Sequence, residues 1–285
     1  MNAFVPRSIF AALVSATLAL SATGCDEKKE NTEDAAARIA KRVTEADTRL
    51  RNNKLGDAEK IYTAILKEQP GHPGATGGLG KVRFEQDQFA EAEVLLSKAL
   101  ETNKKDAVLW AALGRAREHQ DKHAEAAEAY GEAQAIDPED TDVGLSWGRE
   151  LKRAGKLTEA EPVLRKVAEE DPMVKHVHTE LADVLRAQGK LDEALRMYMK
   201  AQNTYRSDRM ARAGAALVYE AKGDTKHALD EWSGYIRMDC CSDYSNDVAK
   251  KKMMELEAPK GAADGGAADG GAAADGGTPK APPAG

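Results

Sequence analysis

Apolar positions return along this chain with a period of 34 residues. Ala58, Ala92, Ala126, Ala160, Ala194 and Ala228 are separated by five equal intervals. Four residues after each Ala comes a large side chain: Tyr62, Leu96, Tyr130, Leu164, Tyr198 and Trp232. Three further on stand Ile65, Ala99, Ala133, Val167, Ala201 and Tyr235. Spacing of i, i+4, i+7 places each trio on one face of an amphipathic helix. A second helical stripe precedes each of these, marked by Leu79-Gly80, Leu113-Gly114, Trp147-Gly148, Leu181-Ala182 and Ala215-Ala216. The small member of each pair predicts close approach of two helix backbones.

Polar residues punctuate the pattern. Five positions before each Ala stand Asn53, Asp87, Asp121, Gly155, Gly189 and Gly223. All six tolerate a left-handed backbone, which is what ending one helix and turning into the next requires. Asp57, Glu91, Glu125, Glu159 and Glu193 directly precede their Ala, where the helix dipole favours an acid, and His227 takes that place last. Pro70, Pro138 and Pro172 are expected to end second helices. Pro162 is expected in the opening turns of one, where its missing N–H costs least.

These residues resemble the tetratricopeptide repeat, with its small and aromatic positions over 34 residues. The resemblance implies an all-α fold: a right-handed superhelical α-solenoid of about six TPR helix-turn-helix repeats with a C-terminal capping helix. The repeats read as 39–72, 73–106, 107–140, 141–174, 175–208 and 209–242, a body spanning 35–242. The first helix of the body uses Ile39, Val43, Ala46 and Leu50, as an end repeat with a solvated outer face would. A capping helix is expected at 243–257, with a partial apolar stripe of Val248, Ala249, Met253 and Leu256. Residues 258–285, rich in Ala, Gly, Asp and Pro, read as a disordered tail.

Residues 1–24 read as a secretory signal: Arg7, then an apolar run from Ile9 to Ala22 that is short for a membrane span. Ala22-Thr23-Gly24-Cys25 resembles the lipobox of bacterial lipoproteins, in which the Cys carries the lipid. The resemblance makes Cys25 the lipid-attachment residue, and several acyl chains give a firm anchor. Residues 25–34, the lipidated Cys and the charged stretch after it, are expected to be a mobile tether. The expected location is therefore the bacterial cell envelope, facing the periplasm and anchored in the inner or outer membrane.

Composition narrows the function. Only 5% of residues are aromatic, which suits a long, thin core of small residues, and the formal net charge of −7 argues against general nucleic-acid binding. No nucleophile–base pair, metal-ligand spacing or phosphate loop is present, so no enzyme, cofactor or small-molecule substrate is expected. The Gly71–Gly80 run lacks a preceding strand and a Walker lysine. His119/His123 and His176/His178 lack completing ligands, with His178 on a packing position and His123 in an inter-helix turn. Adjacent Cys240 and Cys241 could form a strained vicinal disulfide or stay as thiols.

The remaining candidate is the inner surface lined by first helices. Lys81, Arg115 and Arg149 recur there every 34 residues, with Lys152, Arg153 and Arg186 beside them. Leu145 and His176 are the candidate contacts alongside, with Val108, Met210 and Leu217. A basic, partly apolar groove suits an acidic or carboxylate-ended segment of a protein partner. The alternative is a solvated face offset by Glu85, Glu118, Asp142, Glu180, Asp183 and Glu220. The Asn residues of the chaperone-binding carboxylate clamp are absent, their places taken by Gly78, Ala112, Ser146 and Glu180. The plan of lipobox followed by about six repeats is similar to type IV pilus assembly (pilotin) lipoproteins. A metal-binding or enzymatic protein is the distant alternative.

Overall fold

The computed structural model describes residues 23–238 and 242–258, with side chains described from Asp34 onward apart from Asn246. Most of the signal segment, the Cys25 side chain, Cys240, Cys241 and the tail beyond residue 258 lie outside that description. The described chain is all-helical, and it divides into two compact units after Ala116.

The first unit contains α1 (Thr23–Arg51), α2 (Leu55–Glu68), α3 (Pro73–Glu85), α4 (Phe89–Thr102) and α5 (Ala107–Glu118) as far as Ala116. Its core is built from Ile39, Ala46, Ala58, Tyr62, Ile65 and Val82. Helix α1 begins at Thr23, so the stretch expected to be a mobile tether is helical instead. From Cys25 to Arg51 the chain holds no Gly or Pro and is rich in Ala, Glu, Lys and Arg. Such residues lose little on entering a helix, which lets one started at the packed end run outward.

The second unit holds Arg117 and Glu118, then α6 (His123–Ile136), α7 (Thr141–Arg153), α8 (Leu157–Glu170), α9 (Val177–Ala187), α10 (Leu191–Thr204), α11 (Arg209–Ala221) and α12 (Thr225–Met238). A π-helical turn at Ser245–Ala249 leads into α13 (Lys250–Glu257). Tyr244, Ala249, Met253 and Leu256 pack on Trp232, Tyr235 and Leu217, covering the far side of α11 and α12.

The punctuation residues act as their types suggest. Asn53, Asp87 and Asp121 take φ of 55°, 59° and 56°, and Gly155, Gly189 and Gly223 take 75°, 78° and 73°. Each ends a first helix in the left-handed region. Second helices stop at Glu68, Ile136 and Glu170, two residues short of Pro70, Pro138 and Pro172. Pro162 is the sixth residue of α8 and so forgoes an intrahelical bond, a greater cost than expected for the first turn.

The small residues serve a different purpose from the one their pattern suggested. A Cβ on Gly80 would lie 2.9 Å from Leu96 Cγ, and one on Gly148 would lie 2.5 Å from Leu164 Cδ2. Between repeats, a Cβ on Gly78 or Gly214 would come within 2.3 Å of the ring of Tyr62 or Tyr198. The glycines therefore clear space for the large side chain of a neighbouring second helix, not for its backbone.

First helices are started by one recurrent device. Asp106, Asp140 and Asp208 accept hydrogen bonds from the backbone N–H of Leu109, Val143 and Ala211, and His72 does the same for Ala75. These side chains satisfy donors that the helix start leaves orphaned. The same place in the fifth repeat holds Val174, which has no acceptor, and α9 starts late at Val177.

Candidate functional site

In the second unit the inner face carries opposite charges in close register. Lys152 Nζ lies 2.5 Å from Glu180 Oε2 and 3.1 Å from Asp183 Oδ2. Burial alone would lower the Lys152 ammonium, but Asp183 and Glu180 outweigh it and hold its pKa above the ordinary lysine range. Arg153 reaches Glu118 Oε1 at 3.1 Å and Glu150 Oε1 at 2.7 Å. The Glu150 side chain is fully buried, and its other oxygen lies 2.8 Å from His123 Nδ1. Burial pushes the Glu150 carboxyl upward against the pull of His123 and Arg153. His123 is the first residue of α6, not part of the preceding turn.

Arg186 Nε donates to Tyr198 Oη at 3.2 Å, and Tyr198 donates in turn to Asp183 Oδ1 at 2.5 Å. Arg149 lies 4.0 Å from Glu180, too far for a hydrogen bond, and its Nε is buried without one. Lys152 and Arg153 are therefore neutralised by the protein's own carboxylates, as the alternative of an offset face proposed. Two of the candidate contacts change role as well. Leu145 is only 8% exposed and packs in the core with Leu151 and Val167. A helix position facing inward becomes buried once neighbouring repeats close over it. His176 takes φ of 70°, and its Nδ1 lies 3.3 Å from Asp208 Oδ2. It helps shape the entry to α9.

The first unit differs. Lys81 on α3 is partly exposed, Arg115 on α5 is exposed, and neither has a carboxylate partner among the described residues. The Arg115 guanidinium carbon instead lies 5.4 Å from the centre of the Phe84 ring. Phe84 meets Phe89 edge-on at 5.5 Å. Elsewhere in this unit a cleft of about 360 Å3 opens between α1, at Ile39 and Val43, and the loop at Gln69 and His72.

One set of polar contacts escaped the sequence reading. Tyr62, Tyr130, Tyr198 and Trp232 each donate to an acid on the first helix of the same repeat: Asp47, Glu118, Asp183 and Glu220. The acid is an Asp 15 residues before the aromatic or a Glu 12 before it. Those two places are one helical turn apart, so the longer Glu reaches the donor that Asp meets from nearer by. Among the described residues no group of three or more His, Cys, Asp or Glu is placed to hold a metal, and no helix is long and apolar enough to cross a membrane.

Tetratricopeptide-repeat models match residues 49–116, 107–140 and 151–218, which together exceed half of the chain. The chain belongs to the tetratricopeptide repeat family, and its fold is of the all-α TPR solenoid class. Proteins of this family are in general non-catalytic interaction scaffolds. PilF of Pseudomonas aeruginosa matches with a TM-score of 0.59 and 17% identity, over 75% of this chain and 97% of that one. YrrB, a TPR protein with an unusual peptide-binding site, matches with a TM-score of 0.58 and 19% identity, over 67% and 97%. MamA matches with a TM-score of 0.52 and 21% identity, over 56% and 93%. Likeness at these identities shows the fold alone. Cellulose synthase operon protein C of Xanthomonas axonopodis pv. citri is 45% identical over 53 residues. That segment is 19% of this chain and only 4% of the relative, so it shares a stretch of repeat with a far longer protein.

Proposed function

We propose that this chain is a non-catalytic adaptor, lipid-anchored through Cys25 in the bacterial cell envelope and facing the periplasm, which holds segments of other proteins on the inner face of its repeats. The observation that carries the reading is what the ionisable groups do. In the second unit Lys152, Glu150 and Asp208 are engaged with other side chains of the same chain, while His178 is buried with no hydrogen-bond partner. Those contacts hold helices to one another, and contact surface is what the hairpins offer a partner.

The anchor is tested by fractionation: Cys25→Ala releases the protein from membranes, and a variant that stays attached refutes it. The adaptor role is tested by photo-crosslinking in cells from positions on the inner faces of both units. Capture of one defined envelope protein supports it, and failure at every position counts against it. A pilotin-like assembly role for a type IV pilus or secretion secretin is the second reading. The fold shared with PilF over 97% of that chain favours it. Loss of secretin multimers in a deletion strain, restored by the full chain, would distinguish it from a general adaptor.

A further inference from the structure

The second unit answers Lys152 and Arg153 with its own acids, and the first unit offers none, among the described residues, to its inner-face pair. Its two cations occur at the same place in successive repeats, Lys81 on α3 and Arg115 on α5. The Arg115 guanidinium carbon lies over the Phe84 ring, a contact that uses none of its five N–H donors. No carboxylate among the described residues takes them.

The platform beneath is stiff. Phe84 lies near the end of α3, Phe89 begins α4, and the left-handed residue Asp87 joins the two helices. An arginine placed over such a ring gives up part of its side-chain freedom before any ligand arrives, and its fork matches a carboxylate in two parallel hydrogen bonds. Val108, 60% exposed, stands seven residues before Arg115, on the same face of α5. The separation is roughly 10 Å along the helix, about the span of three extended residues.

We infer that the α3–α5 face of the first unit docks an extended segment of a partner protein that carries carboxylates and, about three residues away, an apolar side chain. Arg115 and Lys81 take the carboxylates, and Val108 takes the apolar group. The inference rests on the adaptor reading above and adds to it the place and the chemistry. Attraction between an acidic segment and exposed cations is screened by salt, so docking weakens as ionic strength rises.

The test uses the full chain in detergent and fluorescence anisotropy with labelled peptides. The acidic probe is Gly-Leu-Ser-Ser-Glu-Glu-Gly, and its counterparts carry Lys-Lys or Ser-Ser in place of Glu-Glu. The acidic probe is expected to bind best at low salt. Arg115→Glu should weaken it roughly tenfold or more, since a charge-assisted fork becomes a repulsion. Phe84→Leu keeps the charge but removes the platform, and should weaken binding several-fold. Arg149→Glu, in the second unit, should leave it within about twofold, and circular dichroism should show all variants equally helical.

Equal binding by Arg115→Glu and the unaltered chain overturns the inference. So does equal binding of the Lys-Lys peptide. Loss in Arg149→Glu with retention in Arg115→Glu puts the site elsewhere and leaves the adaptor reading standing. If none of the peptides binds the unaltered chain, the inference fails, while the crosslinking experiment judges the adaptor role separately.

Discussion

The phenol of Tyr198 donates a 2.5 Å hydrogen bond to Asp183, and the same carboxylate also meets the Lys152 ammonium. A residue placed for its bulk in the second helix thereby also meets an acid on the first. The relationship repeats in Tyr62 and Asp47. Burial and Asp47 both push the Tyr62 hydroxyl above the ordinary tyrosine pKa, so it stays a donor at all working pH values.

Tyr198→Phe should cost about 1–2 kcal/mol, the value of a partly buried hydrogen bond to a charged acceptor. Asp183→Ala should cost more, because it removes the acceptor of Tyr198 and leaves Lys152 with Glu180 alone. Urea denaturation of both variants measures the difference. Equal losses would show that the phenol alone matters.

The cap residues give a second ordering. Asp140→Ala removes one capping bond and should cost about 1 kcal/mol. Asp208 caps α11, accepts from Thr179 Oγ1 at 2.7 Å and faces His176, so Asp208→Ala should cost clearly more. Thermal unfolding of the pair checks the order.

Gly78→Ala and Gly148→Ala would place a methyl group 2.3 Å from the Tyr62 ring and 2.5 Å from Leu164. Overpacking of this kind costs about 1–3 kcal/mol, more than the roughly 1 kcal/mol that Ala gains in helix propensity. Both variants should lower the melting temperature. Gly56→Ala, whose new methyl group meets nothing, should not.

Acid should destabilise the second unit through His178. The ring is 2% exposed, and neither nitrogen has a hydrogen-bond partner. Burial, helped by the Lys200 ammonium, pushes its pKa down, and the Pro172 backbone offsets only part of that. A base whose folded pKa lies below its unfolded value binds protons more readily when unfolded, so stability falls as pH drops below about 6.5. Glu150 has the opposite sign. Its raised pKa makes the folded state the better proton binder, and its contribution weakens as pH rises past about 4.5. His178→Leu should flatten the acid loss above pH 5. An unchanged pH profile would mean that His178 is not its source.

Much of the fold was legible because one requirement recurs at one interval. Asn53 and Asp121 carry a short polar side chain and Gly189 carries none, yet each accepts positive φ, and position with residue type predicted the turn. The caps His72, Asp106, Asp140 and Asp208 lie on the same 34-residue interval and could have been found that way. Their interruption at Val174 was the available sign that α9 starts late. The site was less legible. The spacing placed Lys152 and Arg153 on the expected face, but apart from Glu150, three residues before Arg153, the acids that neutralise them are Glu180, Asp183 and Glu118, which lie 28 to 35 residues away. A one-dimensional count of charges cannot tell an acid beside a cation from one a turn away. Leu145 was lost for a related reason: repeat geometry names a direction, and only packing decides whether water remains there.

Helix α3 carries glycine at 74, 77, 78 and 80 within 13 residues. Three of these leave room for Leu109, Tyr62 and Leu96, and together the four forgo several kcal/mol of intrinsic helicity. The helix that presents Lys81 thus borrows its order from its neighbours. Packing of those neighbours on its buried residues, not propensity, keeps the face beside Arg115 in shape.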